Sequence, residues 1–126
     1  MTRAFATTVL AGVLALVAAT AAEAACARSG YRFGPGIDRA QSRWIVDAGK
    51  PCATVLNPAR LFLSGLTIAE RAAHGVAGVG SRYQYAYNPQ PGYVGRDRFV
   101  VRIEFEQNGV RGATLVAVDV VVRPSR

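Results

Sequence analysis

The chain has few of the residues from which active sites are commonly built. His74 is its one histidine in 126 residues, and no His-x-His, His-Glu or cysteine pair at ligand spacing accompanies it. Metal ligation and imidazole acid–base chemistry therefore lack partners, and a turn residue ahead of Gly75 is the expected role. Two cysteines, Cys26 and Cys52, do not form Cys-x-x-Cys, which leaves a thioredoxin-type redox role without support. Ser64, Ser81 and Thr114 sit in no Gly-x-Ser-x-Gly elbow and beside no base, so no nucleophile is marked. The carboxylates Asp97, Glu104, Glu106 and Asp119 are interspersed with arginines, Asp97 lying between Arg96 and Arg98. Salt bridging and turn capping fit that arrangement better than calcium ligation. No catalytic residue, cofactor or metal site is expected, and the chain reads as a non-enzyme.

Acidic residues are also scarce: 8 against 15 basic, for a formal charge of +7. Such a balance attracts polyanions. The arginines, however, are spread from Arg28 to Arg126 without a block of like charge, and a generally solvated basic surface is the expectation. Lys50 is the one lysine.

Long apolar runs are missing beyond the amino terminus. Arg3 precedes an uncharged stretch from Val9 to Ala22, and Ala22-Glu23-Ala24 or Glu23-Ala24-Ala25 offers small residues at the positions a signal peptidase reads. Residues 1–25 are expected to be a secretory signal peptide, too short and wrongly flanked for a stable membrane span. Cys26 follows the cleavage region, but Glu23 stands where a lipobox needs an aliphatic residue, so lipid anchoring is the less favoured fate. In an exported domain, two cysteines more often form a disulfide, and closing Cys26 to Cys52 contributes about 3 kcal/mol on the chain-entropy model. The address expected is periplasmic or extracellular. Residues 26–126 then make one domain with a single modest core, entered by an irregular lead-in over 26–40.

What is abundant is β-forming sequence, and no fixed-period repeat divides it. Ser42–Val46 is β-prone around Trp44, which is expected to anchor the core. Leu61–Ala69 fits strand or helix by periodicity, and Val76–Val79 is a short strand. Tyr83, Tyr85 and Tyr87 are spaced by two and would share one strand face, as core or, with Arg82 and Arg102, as a platform for sugar rings or bases. Phe99, Val101, Ile103 and Phe105 form one face of the next strand, opposite Arg98, Val100, Arg102 and Glu104. Asn108-Gly109 is a hairpin signal, returning into Ala113–Val122 with Val116, Val118, Val120 and Val122 aligned. Asp119 interrupts this apolar strand and needs either a partner or an exposed edge.

Between these strands lies the most informative stretch, Tyr87-Asn-Pro89-Gln-Pro91-Gly92-Tyr93-Val-Gly95-Arg-Asp97-Arg-Phe99. Pro91-Gly92 presets one φ and permits a positive one, and Gly95 allows a second bend. The spacing resembles the hallmark of bacterial Ig-like (cadherin-like) domains over about His74–Arg123. Ala72-Ala73 departs from the proline that family often carries ahead of its His-Gly, and residues 26–71 have no clear counterpart. The resemblance implies an all-β, Ig-like antiparallel β-sandwich of about seven strands. It also implies strand for Leu61–Ala69, a Tyr93 hydroxyl bonded to backbone as in a tyrosine corner, Asp97 accepting from turn amides, and Phe99 opening the core face.

The function expected is a non-catalytic exported module contacting a partner protein or an envelope surface. The alternative is a basic binder of anionic envelope polymers such as lipopolysaccharide; a small secreted enzyme stands last. The export signal argues against nucleic acid as partner.

Overall fold

A computed structural model describes residues 26–57, 61–81 and 83–125. The expected signal peptide, residues 1–25, lies outside the described residues. Eight strands run in chain order: β1 (Cys26–Arg28), β2 (Arg39–Asp47), β3 (Cys52–Val55), β4 (Phe62–Glu70), β5 (Gly75–Gly80), β6 (Gln84–Pro89), β7 (Gly95–Gln107) and β8 (Val110–Arg123). They form a five-stranded sheet, β1-β2-β8-β7-β4, and a three-stranded sheet, β3-β6-β5. The architecture is an all-β sandwich.

Its core lies between the sheets and follows from alternation. Val116, Val118, Val120 and Val122 on β8 and Phe99, Val101, Ile103 and Phe105 on β7 are buried, as their period of two requires. Tyr85 and Tyr87 of β6 close the core from the opposite sheet. Trp44 stacks on Tyr85 with ring centroids 5.6 Å apart and meets Phe99 edge-on at 5.6 Å, while Tyr87 stacks on Phe99 at 5.7 Å. Trp44 is a core anchor, as expected. The Cys26–Cys52 disulfide joins β1 of one sheet to β3 of the other, with Cα atoms 5.6 Å apart.

The hairpin expected at Asn108-Gly109 forms with φ of 52° and 79°, pairing Gln107 with Val110. Its twist matches the strands it joins, which lets β7 and β8 stay in register over their whole length. Residues Phe62–Glu70 are strand, resolving the ambiguous periodicity.

Several expectations are corrected. The eight strands agree with the about seven expected, but the sandwich is not wholly antiparallel: β2 pairs with β8 in parallel, Arg39 opposite Leu115 through Asp47 opposite Arg123. The lead-in is only partly irregular, because Cys26–Arg28 pairs with Trp44–Val46 and the loop after it is fastened to the core. Gly34 N–H donates to Thr114 Oγ1 at 3.2 Å and that hydroxyl donates to Ile37 carbonyl at 2.5 Å, while Tyr31 and Tyr85 hydroxyls meet at 2.7 Å. The tyrosine row has two members in the strand rather than three. Tyr83 precedes β6 at φ 59°, a left-handed turn conformation, and its hydroxyl crosses to Leu63 carbonyl at 2.6 Å. Asp119 is exposed on β8, an internal strand and not an edge.

Candidate functional site

The Tyr87–Phe99 segment builds a clasp at one end of the sandwich. Gln90 carbonyl accepts from Tyr93 N–H at 3.0 Å across Pro91-Gly92, with Gly92 at φ 81°, the turn its sequence dictates. Gly95 follows at φ 142°, where an added Cβ would meet Tyr93 Oη at 2.9 Å. That closeness lets Tyr93 hydroxyl donate to Arg96 carbonyl, the backbone partner expected of it, while its ring stacks on His74 at 4.2 Å. Pro89 is buried at the end of β6, opposite Gly75.

Asp97 is the hub. Its Oδ1 accepts from Ala73 N–H at 2.9 Å and Arg98 N–H at 2.8 Å, and its Oδ2 from His74 N–H at 2.9 Å and Tyr87 Oη–H at 2.7 Å. Burial alone would raise the Asp97 pKa. The four donors outweigh it and hold the carboxyl below the usual carboxylate range. Tyr87 is pushed upward in turn, first by burial and then by its bond to Asp97. Two of the three amides, those of Ala73 and His74, come from the β4–β5 connection and the third from the adjacent Arg98, so the carboxylate ties two distant chain segments together. With both oxygens occupied by structural donors, Asp97 is a fastener, and the motif residues Tyr87, Pro89, Pro91, Gly92, Tyr93, Gly95, Asp97 and Phe99 act as one structural unit.

The outer faces of the two sheets differ sharply. Outward positions of the five-stranded sheet collect arginines from separate strands. Arg39 of β2 and Arg102 of β7 flank Leu115 of β8, Arg43 and Arg98 flank Asp119, and Arg96 lies beyond Val121. Sequence reasoning missed this gathering, because pairing register rather than linear spacing brings these residues together. The charges are partly neutralised. Arg102 pairs with Glu104 at 3.4 Å, Arg111 with Glu106 at 3.9 Å, and Arg123 with Asp47 at 2.5 Å. Arg39, Arg43, Arg96 and Arg98 make no such ion pair among the described residues, and Asp119 and Glu70 are the neighbouring carboxylates. Arg39, Arg98 and Glu70 border an open groove of about 660 Å³ with an apolar floor of Val100, Leu115 and Ala117, while Arg43, Arg96 and Asp119 line a separate hollow that also holds Arg98 and Glu70.

The three-stranded sheet presents the opposite chemistry. Ala53, Ala86 and Gly78 align across β3, β6 and β5, with Val55, Gln84, Val76 and Asn88 around them. No charged residue lies on that face among the described strand positions.

Among the described residues, no helix is long and apolar enough to cross a membrane. Comparison of the chain with family models and with curated proteins finds no match.

Proposed function

We propose that the chain is an exported, non-catalytic module of the bacterial Ig-like type that holds anionic polymers of the cell envelope on the outer face of its five-stranded sheet. The observation that carries this reading is the placement of Arg39, Arg43, Arg96 and Arg98 on one sheet face, each without an ion pair among the described residues, with Arg39 and Arg98 bordering an apolar floor and Arg43 and Arg96 bordering the adjoining hollow beside Asp119. Guanidinium groups present planar forks that engage phosphate or sulfate oxygens in pairs, and their aliphatic stems lie along apolar surface. A rigid sheet holds their backbone positions at fixed spacing, so contact requires no ordering of the backbone that carries them. The disulfide fits an oxidising compartment, and the signal-like first 25 residues support delivery to the periplasm or beyond. The clasp around Asp97 supports the Ig-like reading, because it gives Tyr87, Gly92, Tyr93, Gly95 and Asp97 of the motif mechanical tasks.

Retention on immobilised heparin and on lipopolysaccharide tests the reading. Elution should move to markedly lower ligand occupancy as salt rises from low to physiological and above, because exposed charge contacts are screened over a Debye length of about 8–10 Å. Retention insensitive to salt, or none at low salt, contradicts it.

A further inference from the structure

A sandwich has four strand edges, and three of these are blunted. β1 has three residues and β3 has four, too short to template a partner, while β4 is broken by register shifts at Leu63/Gly65 and Ile68/Glu70. β5 is different. Its six residues, Gly-Val-Ala-Gly-Val-Gly, carry no charge and no proline, and they pair with β6 without a bulge. Gln90 N–H donates to His74 carbonyl, which fixes the alternation of the ladder. Val76, Gly78 and Gly80 therefore bond to β6, and Gly75, Ala77 and Val79 turn their N–H and C=O groups to the open edge.

Gly78 adds an independent observation. Its φ is not positive and nothing lies within 4 Å of where a Cβ would stand, so nothing inside the protomer demands glycine. A glycine inside a strand weakens it and often marks close approach by another backbone.

We propose that β5 pairs antiparallel with β5 of a second copy about a two-fold axis at Ala77, joining two three-stranded sheets into one of six. In that register Gly75, Ala77 and Val79 face Val79, Ala77 and Gly75 of the partner subunit. Each of these narrow pairs exchanges two backbone hydrogen bonds. Val76 falls opposite Gly78 of the partner subunit and Gly78 opposite its Val76. Every valine thus meets a glycine, and the strand is self-complementary in size. Charge opposes a second copy everywhere except at such an edge. Two molecules of formal charge +7 repel, and the uncharged β5 edge lets them meet without opposing arginines. Val76, 72% exposed, and Val79, 42% exposed, lose solvent contact on pairing. The interface is isologous and closes at two subunits, leaving the arginine-bearing faces free.

Sedimentation equilibrium of the processed protein, with its disulfide intact, should show mass rising from one chain toward two as concentration rises. Gly78→Lys, which has open space in the protomer, should stay at one chain with an unchanged circular dichroism spectrum. A protein that remains at one chain up to millimolar concentration, or a dimer indifferent to Gly78→Lys, overturns the proposal. Should Gly78→Lys not fold, cysteine pairing decides. An equimolar mixture of Val76→Cys and Gly78→Cys should yield a crosslinked dimer on mild oxidation, since wide antiparallel pairs hold Cα atoms about 4.5 Å apart. Neither variant alone should crosslink, and equal crosslinking of the single variants also overturns it.

Discussion

Tyr87 Oη donates to Asp97 Oδ2 at 2.7 Å in a buried bond that joins β6, the central strand of the small sheet, to the start of β7 in the five-stranded sheet. The same carboxylate receives three backbone N–H groups, so its loss leaves several donors facing a site without an acceptor. Asp97→Ala should cost on the order of 3 kcal/mol of unfolding free energy, and Tyr87→Phe about 1–2 kcal/mol. A double-mutant cycle read by urea denaturation should show the pair coupled, because Tyr87→Phe has little left to remove once Asp97 is gone.

The clasp also sets a pH dependence. Burial opposes ionisation of Asp97, but its donors win and depress the folded-state pKa. A depressed carboxylate contributes stability that is complete above its unfolded pKa, about 3.9, and is lost as pH falls through the lower folded value. Thermal unfolding of the wild type and of Asp97→Asn should therefore differ most at neutral pH. The gap should narrow steadily below about pH 4. A gap that widens on acidification contradicts the assignment.

At the alkaline end the sign reverses. Burial raises the pKa of Tyr31, Tyr85 and Tyr87, so these phenols stay protonated in the fold. Their contribution is full below the ordinary tyrosine pKa of about 10 and falls as pH rises past it. Ultraviolet titration should show part of the tyrosine absorbance change arriving only with unfolding, and all of it near pH 10 in denaturant.

The disulfide should matter to a domain of this size. Cys26 and Cys52 are 26 residues apart and join the two sheets. Reduction, or Cys26→Ser with Cys52→Ser, should lower stability by roughly 3 kcal/mol while leaving the β-type circular dichroism spectrum recognisable.

Gly95 and Gly78 should respond oppositely to alanine. Gly95 has φ 142° and Tyr93 hydroxyl 2.9 Å from a new Cβ, so Gly95→Ala should destabilise by about 1–3 kcal/mol. Gly78 has neither constraint, and Gly78→Ala should leave chemical denaturation of the isolated protomer unchanged or slightly improved.

Local chemistry made much of this fold legible in advance. Pro91-Gly92 and Asn108-Gly109 announce their turns, because few residues tolerate the φ values these turns use. Alternation over Phe99–Phe105 and Val116–Val122 identifies the core face, and two cysteines without Cys-x-x-Cys spacing behind a signal-like segment announce their pairing. What escaped depends on contacts between distant segments. Parallel pairing of β2 with β8 joins residues more than seventy positions apart, and no local pattern specifies that register. The arginine-bearing face followed from it and escaped for the same reason. Tyr83 kept its spacing in sequence but left the strand, since the tight β5–β6 connection needed a left-handed residue there. Asp97 was expected to cap a turn, and it does so, but the amides belong to Ala73 and His74.

Co-sedimentation with vesicles bearing lipopolysaccharide tests the central claim most directly, comparing the wild type with two triple variants. Replacing Arg39, Arg43 and Arg98 by serine removes charge from the five-stranded face, whereas replacing Arg28, Arg32 and Lys50 removes the same charge elsewhere. The account predicts that the first variant loses binding about tenfold or more at physiological salt, given roughly 1 kcal/mol per basic contact at an anionic surface, and that the second loses little. Equal losses from both variants would mean that net charge alone drives attraction, and the sheet face would have no special part in it.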